Sequence, residues 1–297
     1  MALPPQRLAH AEEILAKVRI PSQPIIIAEL NQRLNAPQPD FKEIAALISQ
    51  DSAVTARLFK LINSPLFGRC REIDSISQAL ALLGTENFFK LIFTSCLRES
   101  INTDRQLDER FWQHTLRVAV GADHIAGRVG AILALDNITP GQCYLAGLFR
   151  DCAVPILSAN FKPYLELFDS VASYSRSVLA AEDQAVGTDH CIIGHLMAKS
   201  WSLPDPICKA VLFHHEEVII NEKLHMPTKL LAVLQTADYL AFRYDYLAGQ
   251  TPLVLSSEWS VDEWAASHEN VLTELALEVD DIKHFKNELF DRYADIS

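Results

Sequence analysis

Apolar residues recur along most of this chain at helical spacing, and few runs alternate in the two-residue period of a strand. Pro4 to Arg19 reads as one helix. Ile20-Pro21-Ser22-Gln23-Pro24 breaks it, because proline lacks the N–H a helix needs. A second helix is predicted from Ile25 to about Leu34. The turn that follows offers Asp40 as an N-cap. Ile44, Leu47 and Ile48 mark the next helix. Val54, Leu58, Leu61 and Ile62 mark another, ended by Asn63-Ser64-Pro65. Helical stretches near Ser75–Leu83 and Glu86–Ser100 complete a first group.

After the polar break at Asn102-Thr103-Asp104, a longer helix is predicted over about Asp108–Val129. Its inner stripe is Phe111, Thr115, Val118, Ala122, Ile125 and Val129. Pro140 starts a helix expected to run through Cys152, with Pro155 kinking or ending it. Further helices are predicted near Pro163–Tyr174, Ser177–Gln184, Asp189–Lys199, Asp205–His215 and Thr228–Arg243. From Ser260, two acid-rich helical stretches carry enough apolar residues (Val271, Leu272, Leu275, Phe285, Leu289) to pack down. The expected fold is all-α, a multi-helix bundle. Its parts are an N-terminal helical subdomain (1–101), a second helical subdomain (102–255) and a C-terminal helical extension (256–297).

Composition agrees with this picture. In 297 residues only 10 are glycine, and hydrophobic and charged shares of 49% and 22% are those of an ordinary globular protein. The formal net charge of −12 repels phosphate backbones and anionic membrane surfaces, so neither nucleic acid nor membrane is an expected partner. No uninterrupted apolar run approaches the roughly 18 residues of a spanning helix. Residues 1–6 lack the regions of a signal peptide. The six cysteines are scattered, as suits reduced, buried thiols, and the expected location is cytoplasmic.

Six residues place polar groups where the helical period calls for apolar ones. His114 borders the stripe of Phe111 and Val118. Asp151 lies three after Leu148 and follows Arg150. His190 shares a face with Ile193, Gly194, Met197 and Trp201. His214 shares one with Ile207, Ala210 and Val211, and His215 is beside it. Asp238 lies on the apolar face of its helix, four after Leu234. Buried carboxylates are costly unless paired or bound to metal. Imidazoles with carboxylates suit Fe, Mn or Zn, and paired metals of that kind activate water for phosphoester hydrolysis. Separate, satisfied core polar residues give the same pattern, and spacing alone does not decide between the two. His10, His225, His268 and His284 are expected to face solvent, His124 is rotated off the shared face, and His195 has no evident partner. Cys152 beside Asp151 is expected to be a core thiol, since an adjacent anion raises its pKa.

Three groups of segments stand out together: Ile20-Pro21-Ser22-Gln23-Pro24, Ile48 through Leu58 with Asp51, and Asn63-Ser64-Pro65; then Ile76-Ser77-Gln78-Ala79-Leu80 with Leu83-Gly84; then Asp189-His190, Ile193-Gly194, Trp201-Ser202-Leu203-Pro204 and His214-His215-Glu216. In this order they resemble the opening helices, the next segment and a later stretch of the HDOD family, a signalling branch of the HD phosphohydrolase superfamily. The resemblance implies an all-helical HD-like core. Catalytic superfamily members hold metal with a His, a His-Asp pair and a later Asp; cyclic-dinucleotide phosphodiesterases add a His and a His-His pair. Carried over, it implies His114, Asp151 and Asp238 for the former and His190, His214 and His215 for the latter. Arg150 stands where the His of the pair is expected, and arginine cannot ligate metal. The glycine and lysine expected shortly after Asp151 are also missing.

The resemblance with its broken His-Asp pair leads to the expectation of a non-catalytic regulatory or scaffolding module in bacterial signal transduction, acting through protein partners. Two alternatives stand beside it. One is a divergent metal-dependent phosphohydrolase acting on a nucleotide or phosphoester, with Fe, Mn or Zn. The other is a nucleotide-binding sensor without turnover. The guanidinium of Arg150 is expected to replace a metal's charge by pairing with Asp151 or Asp238.

Overall fold

The computed structural model describes residues 20–34, 40–63, 73–101, 105–161, 164, 176–218, 226–249 and 260–296. Every regular element among them is a helix, as the period of the sequence requires. The helix read over Pro4–Arg19 and most of that over Pro163–Tyr174 lie outside the described residues, as do His10 and His225. The chain forms two compact units, one over Pro21–Asn102 and one over Thr103–Tyr293.

In the first unit, α1 (Ile25–Leu34), α2 (Phe41–Ser49) and α3 (Ser52–Ile62) all pack on α4 (Ile76–Ser100). Each brings residues from its apolar stripe: Ile27 and Leu30, Ile44 and Ile48, Val54 and Leu58, all buried. Asp40 caps α2 as expected, its carboxylate accepting from the backbone N–H groups of Lys42 and Glu43 at 2.8 and 3.3 Å. As read, two helical stretches lie on either side of Gly84, and α4 is the pair of them joined across a kink there. Gly84 breaks its regularity with φ 74° and ψ 165°, a conformation open to glycine and strained for other residues. By length and composition alone α4 is long and apolar enough to cross a membrane, although 61% of its most apolar window is buried inside the protein.

The second unit is built around α5 (Arg105–Arg128). After the short α6 (Gly130–Leu133) and a 3-10 turn (Ala134–Asp136) come α7 (Pro140–Phe149), α8 (Val154–Asn160), α9 (Arg176–Val186) and α10 (His190–Ser200). Then follow α11 (Asp205–Phe213), α12 (Thr228–Leu247), α13 (Val261–Ser267), α14 (Glu269–Leu275) and α15 (Val279–Ala294). α5 packs against α7 and α12, α7 also against α11, and α10 against α11. The C-terminal part forms three helices where two were read, because His268 interrupts α13 and α14; they belong to the same unit.

Several readings are corrected. Pro155 was expected to kink or end the helix begun at Pro140; that helix ends at Phe149, and Pro155 occupies the first turn of α8, where its missing N–H costs nothing. Cys152 therefore sits in the turn between α7 and α8. His195 is buried and shares a 2.7 Å hydrogen bond with the Cys208 carbonyl. His268 is partly buried, stacked on Trp264 with ring centroids 4.7 Å apart, whereas His284 faces solvent as read.

The α5–α7 contact is close because Gly147 has no side chain. A Cβ there would lie 2.9 Å from Ala119 Cα and 3.1 Å from its amide nitrogen, both rigid backbone. Gly147→Ala is expected to destabilise the second unit by about 1–3 kcal/mol through overpacking. The readout is a lower urea midpoint at unchanged m-value. An unchanged midpoint would mean that the two helices can separate freely.

Candidate metal centre

Five elements bring the six candidate residues together. α5 supplies His114. The turn after α7 supplies Arg150 and Asp151. The N-terminus of α10 supplies His190, and the turn after α11 supplies His214 and His215. α12 supplies Asp238. α10 starts where it does because the Asp189 side chain caps it, accepting from the Ile192 N–H at 2.9 Å; this fixes His190 as the first helical residue.

Arg150 is the centre of one half. It is buried, and its guanidinium donates to Asp238 Oδ2 at 2.6 Å and to Asp151 Oδ2 at 2.8 Å. The same group lies 2.8 Å from His114 Nε2. The other face of His114 meets Asp245 Oδ2, 2.6 Å from Nδ1, and Arg117 donates to Asp245 Oδ1 at 2.5 Å. Burial opposes a proton on His114, but the carboxylates of Asp238 and Asp245 outweigh it and Arg150 and push the ring up to about 9. His114 Nε2 also lies 3.2 Å from Asp238 Oδ1, so this nitrogen faces both a guanidinium donor and a carboxylate acceptor. Burial would raise the Asp151 carboxyl, but Arg150, then His214 and His190, hold it well below the ordinary range.

The other half is a trio of imidazoles. His190 Nε2 lies 3.2 Å from His214 Nε2 and 3.1 Å from His215 Nε2. Asp151 Oδ1, the oxygen Arg150 leaves free, is 3.3 Å from His214 Nε2 and 3.5 Å from His190 Nε2. The far nitrogens are held. His190 Nδ1 donates to the buried carboxylate of Glu182 at 2.8 Å, which also accepts from the Tyr164 hydroxyl at 2.5 Å. His214 Nδ1 donates to the Val211 carbonyl at 2.8 Å. Both rings thus aim Nε2 inward, the arrangement that orients histidines toward a metal.

Burial disfavours charge in the trio. Even so, Cys191 and Asp151 push His214 up to about 9, and Cys191 and Glu182 push His190 well above its ordinary value. The 3.2 Å contact fits one N–H facing one lone pair. His215 falls well below its ordinary value through burial and its two neighbours, and stays neutral. A cation can take the place of that N–H hydrogen. Donors of a tetrahedral zinc with Zn–N of about 2.0–2.1 Å stand about 3.3–3.4 Å apart, close to the separations here. The residues therefore fit a transition metal in the imidazole half and a guanidinium in the other.

The model of the HDOD domain matches residues 20–217. The chain belongs to the HDOD family. A solved HDOD domain protein from Geobacter sulfurreducens is 28% identical, with a TM-score of 0.73 over 98% of this chain and 97% of that one. A "Putative phosphohydrolase" from Shewanella amazonensis SB2B is 21% identical, with a TM-score of 0.68 over 98% of each chain. A "Putative signal transduction protein" from Marinobacter aquaeolei VT8 is 17% identical, with a TM-score of 0.69 over 98% of this chain and 65% of that one. An uncharacterized protein of Treponema pallidum (strain Nichols) is 24% identical over 238 residues; this HDOD chain covers 78% of its own length there and 44% of that relative's.

Five residues of the HDOD site escaped the sequence reading: Arg117, Tyr164, Glu182, Cys191 and Asp245. Asp245 lies seven after Asp238 and Arg117 three after His114, so helical spacing could have found both. Tyr164 gives no such signal. Glu182→Gln is expected to weaken metal binding 10–100-fold, since it removes the carboxylate that holds the His190 tautomer. Competition with a zinc chromophore measures this, and unchanged affinity would show that Glu182 serves folding alone.

Proposed function

We propose that this HDOD chain is a non-catalytic regulatory module of bacterial signal transduction, working in the cytoplasm through protein partners, with half of an HD metal site replaced by Arg150. One observation carries the reading. The Arg150 guanidinium sits among Asp151, Asp238 and His114, the residues that the resemblance assigns to metal. A two-metal centre needs cations on both sides of a bridging group to stabilise attacking and leaving oxygens. Here Asp151 and Asp238 are already neutralised by a group that offers no coordination position. The signal-transduction neighbour supports the same class, and an acidic surface suits charge-steered contact with a partner.

A second reading is favoured by the intact trio. His190, His214 and His215, with Asp151 facing them, would hold one Zn or Fe ion, which when bound could lend Lewis acidity to a phosphoester. On that reading the chain is a one-metal hydrolase.

Elemental analysis after chelator-free purification, with a turnover screen on nucleotides and cyclic dinucleotides, separates the two. The regulatory reading expects at most one equivalent of metal, retained in Asp238→Ala, and no turnover. Two equivalents, or stoichiometric loss of the metal in Asp238→Ala, would overturn the replacement of metal by Arg150. Turnover that needs His190 would establish the hydrolase.

A further inference from the structure

Beside the imidazole trio lies a side chain that the resemblance does not assign to metal. Cys191 is the second residue of α10, directly after His190, and is buried. Its sulfur lies 3.6 Å from His190 Nε2, the nitrogen aimed inward, and 3.7 Å from His214 Nδ1, the nitrogen held by the Val211 carbonyl. One donor atom from each of His190, Cys191, His214 and His215 falls within 4.8 Å of the others. The 3.6 Å separation is also the N···S distance around a tetrahedral ion: with Zn–S of about 2.3 Å and Zn–N of about 2.0–2.1 Å it comes to about 3.6 Å.

We propose that Cys191 is a metal ligand, closing with His190, His214 and His215 a zinc site of three imidazole nitrogens and one thiolate sulfur. This rests on the metal reading of the trio and goes beyond it by naming the fourth donor. Asp151 competes for the same position, with Oδ1 at 3.3 and 3.5 Å from two of the imidazole nitrogens. Its other oxygen already accepts from Arg150, so its charge is matched there. The polar neighbours of the Cys191 sulfur are the imidazoles themselves. Coordination takes the thiol as thiolate and gives its proton to the buffer. Thiolate with imidazole selects zinc over the oxygen-seeking magnesium or manganese. Four protein ligands leave no position for a water, which is the mark of a structural centre. The old hydrolytic site would then be a folded strut, tying α10 to the turn after α11.

Cobalt(II), which is coloured where zinc is silent, is the probe. The full chain, Cys191→Ser and Cys152→Ser are each loaded with cobalt alone; bound metal is counted, and circular dichroism confirms the fold. The proposal expects one equivalent in the wild type, a sulfur-to-cobalt charge-transfer band in the near ultraviolet, and strong tetrahedral ligand-field bands. Cys152→Ser keeps the charge-transfer band; Cys191→Ser loses it and binds at least about 10-fold more weakly. One equivalent of cobalt without the band, or a band that survives Cys191→Ser, overturns the role of Cys191 and leaves the imidazole site standing. No bound cobalt in the wild type overturns the metal reading itself.

Discussion

Replacing Arg150 by alanine is expected to lower the stability of the second unit by about 3–5 kcal/mol, the usual cost of removing one partner from a buried ion pair. The loss is this large because Asp151 and Asp238 would both stay behind without their shared cation. The effect depends on pH, with a definite sign. Arg150 holds the folded Asp151 carboxyl well below the ordinary range. Its contribution is therefore complete above the unfolded value near ~3.9 and is lost as pH falls through the lower folded value. The gap between wild type and variant should be widest at neutral pH and should narrow in acid, where a protonated Asp151 no longer needs a cation. Urea unfolding followed by tryptophan fluorescence measures it, since all four tryptophans lie within the second unit. Equal midpoints at neutral pH would show that water neutralises the site as well as arginine does. Arg150→His is the informative partner variant. It restores the His-Asp pair and is expected to bind one more equivalent of metal than the wild type.

The second large effect is expected at His190. Zinc added at about 100 times its Kd should stabilise the wild type by about 2.7 kcal/mol, because only the folded chain assembles the trio. In His190→Ala the gain should vanish, since His190 is the ring that both His214 and His215 face. A rise in melting temperature with zinc that persists in His190→Ala would place the ion elsewhere. Asp238→Ala is the control, and there the zinc gain should remain, because Asp238 touches Arg150 and His114 and not the trio.

The sequence made His114 and Asp238 legible because each interrupts an apolar stripe. Periodicity could not bring the two together, since side chains 124 residues apart meet through tertiary packing alone; the pairing of Arg150 with Asp151 or Asp238 was expected only from the resemblance. Asp245 escaped for a simple reason: α12 was read as ending at Arg243, and the structure carries it on to Leu247. Tyr164 and Glu182 support His190 from segments whose local pattern is that of ordinary amphipathic helix. Cys191 was read as one more core thiol. Burial is common to it and to Cys152, but their neighbours differ: Cys152 has Asp151 beside it and is pushed up, whereas imidazoles flank Cys191 and draw it down against burial. Pro155 was misread because a proline has the same local signature where a helix begins as where one stops.

Asp151 faces both halves, one oxygen to the guanidinium and one to the imidazoles. Such sharing creates thermodynamic linkage. A cation entering the trio draws electron density toward Oδ1 and weakens the hold of Oδ2 on Arg150; a tighter grip by Arg150 weakens the trio's cation in return. The two free-energy changes must be equal. On the reading proposed above, a partner that moved Asp238 or Arg150 would be expected to change the affinity of the trio for a cation, and the cation would change the affinity for that partner by the same factor. Asp151 would then be the one group through which the guanidinium and the imidazoles feel each other.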